Sequence, residues 1–225
     1  MRRVQSLYRS SVGKKIVMAL TGILLFGFVV GHMIGNLKIF LGQEHFDAYA
    51  RFLRTMGEPA FAAGQLLWIA RLALLASVGV HALAAWQLTR QSWAARGVAY
   101  KKKDDLSFSY ASRTMRWGGV ILAAFVVYHL LHLTLGVVHP GFDEASPYRN
   151  VVVGFRSAPV VAVYVVALAM LCFHLYHGLW SATQTLACTN PRILKWRRPV
   201  AAAVALIICA GFVSVPVAVL TGLVK

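Results

Sequence analysis

Five long apolar segments alternate with short polar connections along this chain. They cover about residues 15 to 40, 60 to 89, 115 to 138, 159 to 186 and 199 to 223. A helix needs about 20 apolar residues to cross the hydrocarbon core of a bilayer, and every segment reaches that length. The pattern therefore predicts an all-α polytopic membrane protein, a bundle of five transmembrane helices forming one domain over residues 1–225.

Two of the connections carry a further pattern. Between the first and second spans, apolar residues recur at the helical spacing i, i+3, i+4 and i+7: Phe46, Tyr49, Ala50 and Leu53. This spacing predicts a short helix over about 44 to 57 that lies on the membrane surface. The connection from 139 to 158 contains Pro140, Gly141 and Pro147, and we expect a loop there.

Composition and charge agree with a membrane protein. The chain is 59% hydrophobic and only 13% charged, with a formal net charge of +16. Basic residues before the first span, between the second and third spans and between the fourth and fifth spans number 16, against five in the other connections. Since cytoplasmic loops are enriched in Lys and Arg, the amino terminus should be cytoplasmic and the carboxyl terminus outside. Charge confined to short loops favours anionic lipids or an acidic protein partner, and no nucleic acid.

The cysteines argue against several kinds of metal centre. Cys172, Cys188 and Cys209 are scattered and form no C-x-x-C or C-x-x-C-H motif. An iron–sulfur cluster, a structural zinc site and covalently attached haem all need such clustered cysteines. Any haem in this chain would be held by axial ligands and packing alone.

Histidines are the candidate functional residues. His32, His81, His129 and His174 lie in four of the five spans, which otherwise contain almost no charge. Polar ionisable groups at membrane depth are costly, so they usually face the bundle interior and mark a functional site. Four of them together are typical of ligands.

Position along each span converts into depth, because a helix rises about 1.5 Å per residue. His32 and His129 fall in the outer half, and His81 and His174 fall in the middle or inner half. Two imidazole pairs at two depths are what bis-histidine coordination of two b haems requires. Spacing alone cannot choose between His129 and its i+3 neighbour His132, nor between His174 and His177; depth slightly favours His177.

Other residues support two interpretations each. Gly27, Gly31 and Gly35 would let either a helix or a porphyrin approach closely. Arg71, inside the second span, would either bind a haem propionate or extend its side chain to the outer interface.

Residues outside the spans add two expectations. His45 and His139 are expected in solvated outer loops. The acidic residues all lie in loops or at helix boundaries, which argues against a carboxylate proton relay through the membrane.

With these residues laid out, the chain resembles the single-chain, five-helix di-haem cytochrome b anchor of succinate dehydrogenases and fumarate reductases. The resemblance covers nearly the whole chain. It is carried by F-V-V-G-H-M-I-G-N-L with His32, V-G-V-H-A-L with His81, F-V-V-Y-H with His129, and F-H-L-Y-H-G-L-W-S followed by T-N-P-R with His174. The last block is the most specific.

The resemblance implies a ligand set and a function. His32 and His129 would hold the outer haem iron, and His81 and His174 the inner one. His177 departs from the family's pattern and would instead donate to a propionate or quinone. Electrons would pass from a cytoplasmic flavoprotein subunit and iron–sulfur subunit through two haems b to menaquinone or another quinone. The chain would be a multi-pass subunit of the cytoplasmic membrane and would not oxidise succinate alone.

Two alternatives use the same histidines. One is the cytochrome b subunit of a formate dehydrogenase, hydrogenase or nitrate reductase. The other is a small transporter with histidines along its substrate path, although transporters tend to show inverted repeats or broken spans, and this chain shows no repeat.

Overall fold

The chain forms a bundle of helices in a computed structural model that describes residues 10–95, 110–186 and 190–225. Those residues contain no β-strand. The helices are α1 (Ser11–Leu37), α2 (Gln43–Thr55), α3 (Gln65–Ala94), α4 (Tyr110–Leu133), α5 (Pro147–Phe155), α6 (Ala158–Thr185), α7 (Pro191–Leu194) and α8 (Arg197–Leu220). A 3-10 turn, Lys38–Leu41, continues α1.

Five of these helices, α1, α3, α4, α6 and α8, are long and apolar enough to cross a membrane. The all-α prediction and the five spans are confirmed. Below, "outer" means the end of the bundle that carries α2 and α5, and "inner" means the opposite end. Most basic residues of the connection between α3 and α4 lie outside the described residues.

Local signals explain where the spans begin and end. Ser10 caps α1, where its Oγ accepts a hydrogen bond from the Gly13 N–H at 3.0 Å, a common role for serine at a helix start. The second span was expected from residue 60 but begins at Gln65, after Gly64 at a φ of 79°. The third span was expected to reach 138 but ends at Leu133, before Gly136 at a φ of 70°. Positive φ suits glycine and interrupts a right-handed helix.

The spans pack unevenly. α6 lies between α4 and α8 and packs extensively against both, while α1 packs mainly against α3 and more lightly against α8 and α6. Among the described spans, α3 packs closely only against α1. Its other faces carry exposed apolar side chains such as Trp68, Leu72 and Leu75. This arrangement leaves α3 separated from α4 and α6 along most of its length.

The first outer connection is helical, as predicted: α2 covers Gln43–Thr55. The prediction of a loop over 139–158 was wrong, because α5 occupies Pro147–Phe155. Its proline stands in the first turn, where the missing N–H has no helical partner in any case. Ser146 caps the helix by accepting from the Arg149 N–H at 3.3 Å. Burial of Val151, Val152 and Phe155 against the bundle anchors it.

Asp47 joins α2 to α5 and closes the outer end. Its carboxylate accepts hydrogen bonds from Ser146 Oγ at 2.8 Å and from the Tyr148 N–H at 2.9 Å. The residue is 7% exposed. Buried donors that lose such an acceptor are costly to leave unpaired, so this contact holds the two outer helices together.

We expect Asp47→Ala to destabilise the protein by about 1.5 to 3 kcal/mol, the range for hydrogen bonds to a charged group. Thermal unfolding of the purified protein in detergent measures the change. Glu44→Ala, at an exposed position of α2, is the matched control and should leave the unfolding temperature nearly unchanged. Equal unfolding temperatures for the two variants would contradict this role of Asp47.

Candidate functional site

A pair of imidazoles lies near the outer end of the bundle. His32 of α1 and His129 of α4 face each other with ring centroids 5.8 Å apart and ring planes at 82°. His32 stacks on Phe28 at 5.3 Å and also contacts Phe212 of α8 at 5.8 Å. Phe125 lies 5.9 Å from His129. Aromatic rings thus shield both imidazoles.

A second pair lies deeper. His81 of α3 and His174 of α6 have ring centroids 6.1 Å apart. His81 Nδ1 is 3.1 Å from the Met18 carbonyl oxygen and 3.2 Å from Thr21 Oγ1. A carbonyl can only accept, so we infer that Nδ1 carries the hydrogen and that Nε2 keeps its lone pair. This is the tautomer that a metal-binding imidazole needs.

The two pairs are at different depths. His81 contacts Thr21 of α1, and Thr21 precedes His32 by eleven residues on the same helix. At 1.5 Å per residue this separation is about 16 Å along the bundle. The structure therefore brings together His32 with His129 and His81 with His174, as two separate sites along one axis.

Each site offers only two ligands. In the part of the chain that the structure describes, no group of three or more His, Cys, Asp or Glu side chains could hold a metal ion. Zinc takes three or four protein ligands. An iron porphyrin brings four equatorial nitrogens of its own and needs only the two axial positions filled. A pair of imidazoles in an apolar bundle is suited to that group.

The spacing within each pair has room for one metal between the rings and is also the spacing of ordinary aromatic contacts. A metal-bound imidazole nitrogen lies about 2 Å from its metal, which puts the centroids of two opposed rings about 6 Å apart. The two observed centroid distances are 5.8 Å and 6.1 Å. The helices that carry each pair, α1 with α4 and α3 with α6, make little or no close backbone contact. The side chains therefore meet across a gap between helices.

Glycines border open space in these helices. A Cβ added to Gly27 or Gly31 of α1 would meet no atom within 4 Å among the described residues, whereas one added to Gly35 would lie 2.9 Å from the Tyr49 ring. Gly118 of α4 lines a narrow gap beside His174, and a Cβ added there would also meet no atom within 4 Å. Helix packing within this chain therefore explains Gly35 but not Gly27 or Gly31.

Arg71 and His177, the two further predicted site residues, belong to neither pair. The Arg71 guanidinium is exposed and stacks over Trp68 at 5.0 Å. It follows the start of α3 by six residues. It therefore lies nearer the outer end than predicted, because the sequence placed it about eleven residues from that end. His177 packs edge-on against Trp180 at 5.0 Å, and it is His174 whose ring meets His81. The Nδ1 of His177 and the Nε1 of Trp180 are buried without a hydrogen-bond partner among the described residues.

The structure also shows a polar cluster that the sequence did not reveal. His45 is exposed as expected, but His139 is 7% exposed, so its predicted solvation was wrong. It is buried because α5, which we had expected to be a loop, packs over it: its Nε2–H donates to the Asn150 carbonyl at 2.8 Å. His132, 1% exposed, lies beside it with ring centroids 5.0 Å apart. The i+3 spacing from His129 was the available signal for His132.

No family model matches this chain, and no curated protein or solved structure matches it either. The case for its function therefore depends on the motifs and on the geometry described above.

The glycines give a test of where the bundle has free space. Gly31→Ala should leave the unfolding temperature unchanged or raise it slightly, because alanine favours a helix over glycine by about 1 kcal/mol. Gly211→Ala is the matched contrast, since its Cβ would lie 2.5 Å from Met33 Sδ. We expect it to lower the unfolding temperature in detergent. Destabilisation by Gly31→Ala equal to that of Gly211→Ala would show that α1 is tightly packed at Gly31.

Proposed function

We propose that this chain is the di-haem cytochrome b anchor of a succinate:quinone oxidoreductase, the membrane subunit of a succinate dehydrogenase or fumarate reductase. The observation that carries the proposal is the two imidazole pairs, His32 with His129 and His81 with His174, at two depths of a five-helix bundle. The resemblance of the surrounding motifs to that family supplies the partner and the substrate.

The roles of the residues follow from this assignment. Haem, when bound, supplies one-electron redox chemistry. His32 and His129 would hold the outer haem, and His81 and His174 would hold the inner haem. Phe28 and Phe212 exclude water from His32. The Met18 carbonyl orients His81 through Nδ1–H and leaves Nε2 available for iron.

The charge distribution supports docking of the soluble subunits at the inner end. Basic side chains near that end stack on tryptophans: Arg90 on Trp86, Arg116 on Trp93, and Arg197 and Arg198 on Trp180. At the outer end lie five of the seven acidic residues: Glu44, Asp47, Glu58, Asp143 and Glu144. By the positive-inside rule the inner end is cytoplasmic, with the amino terminus, and the chain spans the cytoplasmic membrane.

Electrons would then cross the membrane from the inner end to the outer end. A flavoprotein subunit and an iron–sulfur subunit docked at the inner end would supply the electrons, and menaquinone or another quinone at the outer end would accept them; the two histidine pairs would hold the haems between these ends. Arg71 and His177, which have polar atoms close to the predicted haem levels, would contact propionates or quinone.

Removing a ligand should remove one haem and spare the other. We expect about two haems b per unaltered polypeptide in a pyridine haemochrome assay, and about one in His32→Ala and in His81→Ala, because each substitution leaves one iron with a single axial imidazole. The remaining haem should be the inner one in the first variant and the outer one in the second.

His45→Ala is the matched control, because His45 is an exposed histidine of α2. It should keep both haems. Absence of haem from the unaltered protein, expressed with haem supplied, would contradict the proposal. It would favour the alternative of a transporter with histidines along its substrate path. Loss of both haems from every variant would contradict two independent sites.

The electron donor separates this proposal from the related cytochromes b. In membranes that contain the intact complex, we expect succinate to reduce the haem absorption bands, while formate and hydrogen do not reduce them. Reduction by formate or hydrogen with no response to succinate would assign the chain to a formate dehydrogenase or hydrogenase. Reoxidation by added nitrate alone would indicate a nitrate reductase subunit, whereas fumarate or a quinone should reoxidise the haems here.

A further inference from the structure

One hydroxyl group connects two buried histidines at the outer site. Tyr164 Oη lies 3.2 Å from His129 Nδ1 and 3.0 Å from His132 Nδ1. Tyr164 is 5% exposed. Its ring is held edge-on by Phe125 at 4.9 Å and by Phe155 at 4.7 Å. The hydroxyl is thus fixed between two imidazoles, one of which belongs to a pair described above.

The direction of these hydrogen bonds follows from the chemistry of His129. A neutral imidazole that binds iron through Nε2 carries its hydrogen on Nδ1. His129 Nδ1–H must then donate to Tyr164 Oη. The single hydroxyl hydrogen of Tyr164 is left to donate to His132 Nδ1, which places the hydrogen of neutral His132 on Nε2.

The next ring continues the same direction. His139 Nε2–H donates to the Asn150 carbonyl at 2.8 Å, so His139 Nδ1 is an acceptor. His132 Nε2 and His139 Nδ1 are both buried and have no hydrogen-bond partner among the described residues. A donor and an acceptor are therefore left over on rings whose centroids are 5.0 Å apart.

Gly154 makes room for the rings of His132 and His139. A Cβ at that position would lie 2.8 Å from His132 Cε1 and 3.0 Å from His139 Nε2. Only glycine allows α5 to approach so closely. The two hydrogen bonds of Tyr164 run in one direction, from His129 to Tyr164 and from Tyr164 to His132.

We propose that Tyr164, supported by His132, is a positioning residue that tunes the outer haem through His129. This inference rests on the proposed function. An acceptor on Nδ1–H fixes the ring and makes the imidazole a stronger electron donor to its metal. The hydrogen bond from Tyr164 to His132 polarises the hydroxyl and strengthens that effect. Both contacts stabilise the ferric state and lower the reduction potential of the outer haem.

The inner site provides an internal reference. There His81 donates to the Met18 carbonyl, and Tyr164 lies in the outer part of the bundle. A change at Tyr164 should therefore move one haem potential and leave the other unchanged. A general loosening of the bundle would instead shift both haem potentials.

The test is a redox titration of Tyr164→Phe in the full protein, followed by optical and electron paramagnetic resonance spectra. We expect two haems to remain and the outer potential to rise, with about a tenfold change in the ferrous-to-ferric ratio at fixed ambient potential, or about 59 mV for one electron. The low-spin ferric signal of the outer haem should shift with it. His132→Leu should give a smaller rise, because Tyr164 then loses its own acceptor.

Tyr128→Phe is the matched control. Tyr128 stacks on His132 at 5.5 Å. The substitution removes a neighbouring hydroxyl, keeps the stacked ring and leaves in place the relay, by which we mean the hydrogen bonds of Tyr164 with His129 and His132. Unchanged outer potentials in Tyr164→Phe and His132→Leu, or an equal rise in Tyr128→Phe, would overturn the inference. So would loss of the outer haem in both relay variants, which would assign them a structural role.

If only Tyr164→Phe loses its outer haem, the potential of His132→Leu decides: a rise supports the relay and no change overturns it. The proposed function fails in a different way, because the unaltered protein would then hold no haem.

Discussion

The cost of placing imidazoles in an apolar bundle constrains the rest of this structure. A polar group that leaves water without finding a hydrogen-bond partner destabilises the folded state by the free energy of its desolvation. His81 uses the Met18 carbonyl, His129 and His132 share Tyr164, and His139 uses the Asn150 carbonyl. Among the paired histidines, His81 and His129 thus have a partner for Nδ1, whereas His174 Nδ1 is buried without a hydrogen-bond partner among the described residues.

The two imidazole pairs are supported in different ways. The outer pair lies where α1, α4, α6 and α8 converge, under the cap that α2 and α5 form. The inner pair joins α6 to α3, which packs closely only against α1 among the described spans. Two sites with the same ligands therefore sit in unequal surroundings, one enclosed by aromatic rings and buried polar groups and the other bordered by an open helix face. Under the proposed function, such unequal surroundings would give two identical haems different potentials.

The sequence was sufficient for the spans, because length and hydropathy define a membrane helix, and for the two depths of the histidines, because a fixed rise converts position into depth. Depth favoured His177 over His174, however, and it is the His174 ring that meets His81. The sequence was insufficient at the outer end. Pro147 looked like a helix breaker but begins α5, and the burial of His139 depends on where that helix packs. Tyr164 comes close to His129 only through the packing of α6 on α4. Such contacts join residues far apart in sequence, so neither periodicity nor local motifs could reveal them.

The close approach of α3 to α1 has a consequence for how the molecule tolerates change. A Cβ at Gly22 would lie 3.3 Å from His81 Cε1, and Thr21 and Met18 hold the same ring. One short stretch of α1 thus supports the inner pair, whereas the outer pair draws on residues from four helices. Damage to that stretch would disturb the inner imidazole pair and leave the outer pair intact, so the two pairs are separable units within a single chain.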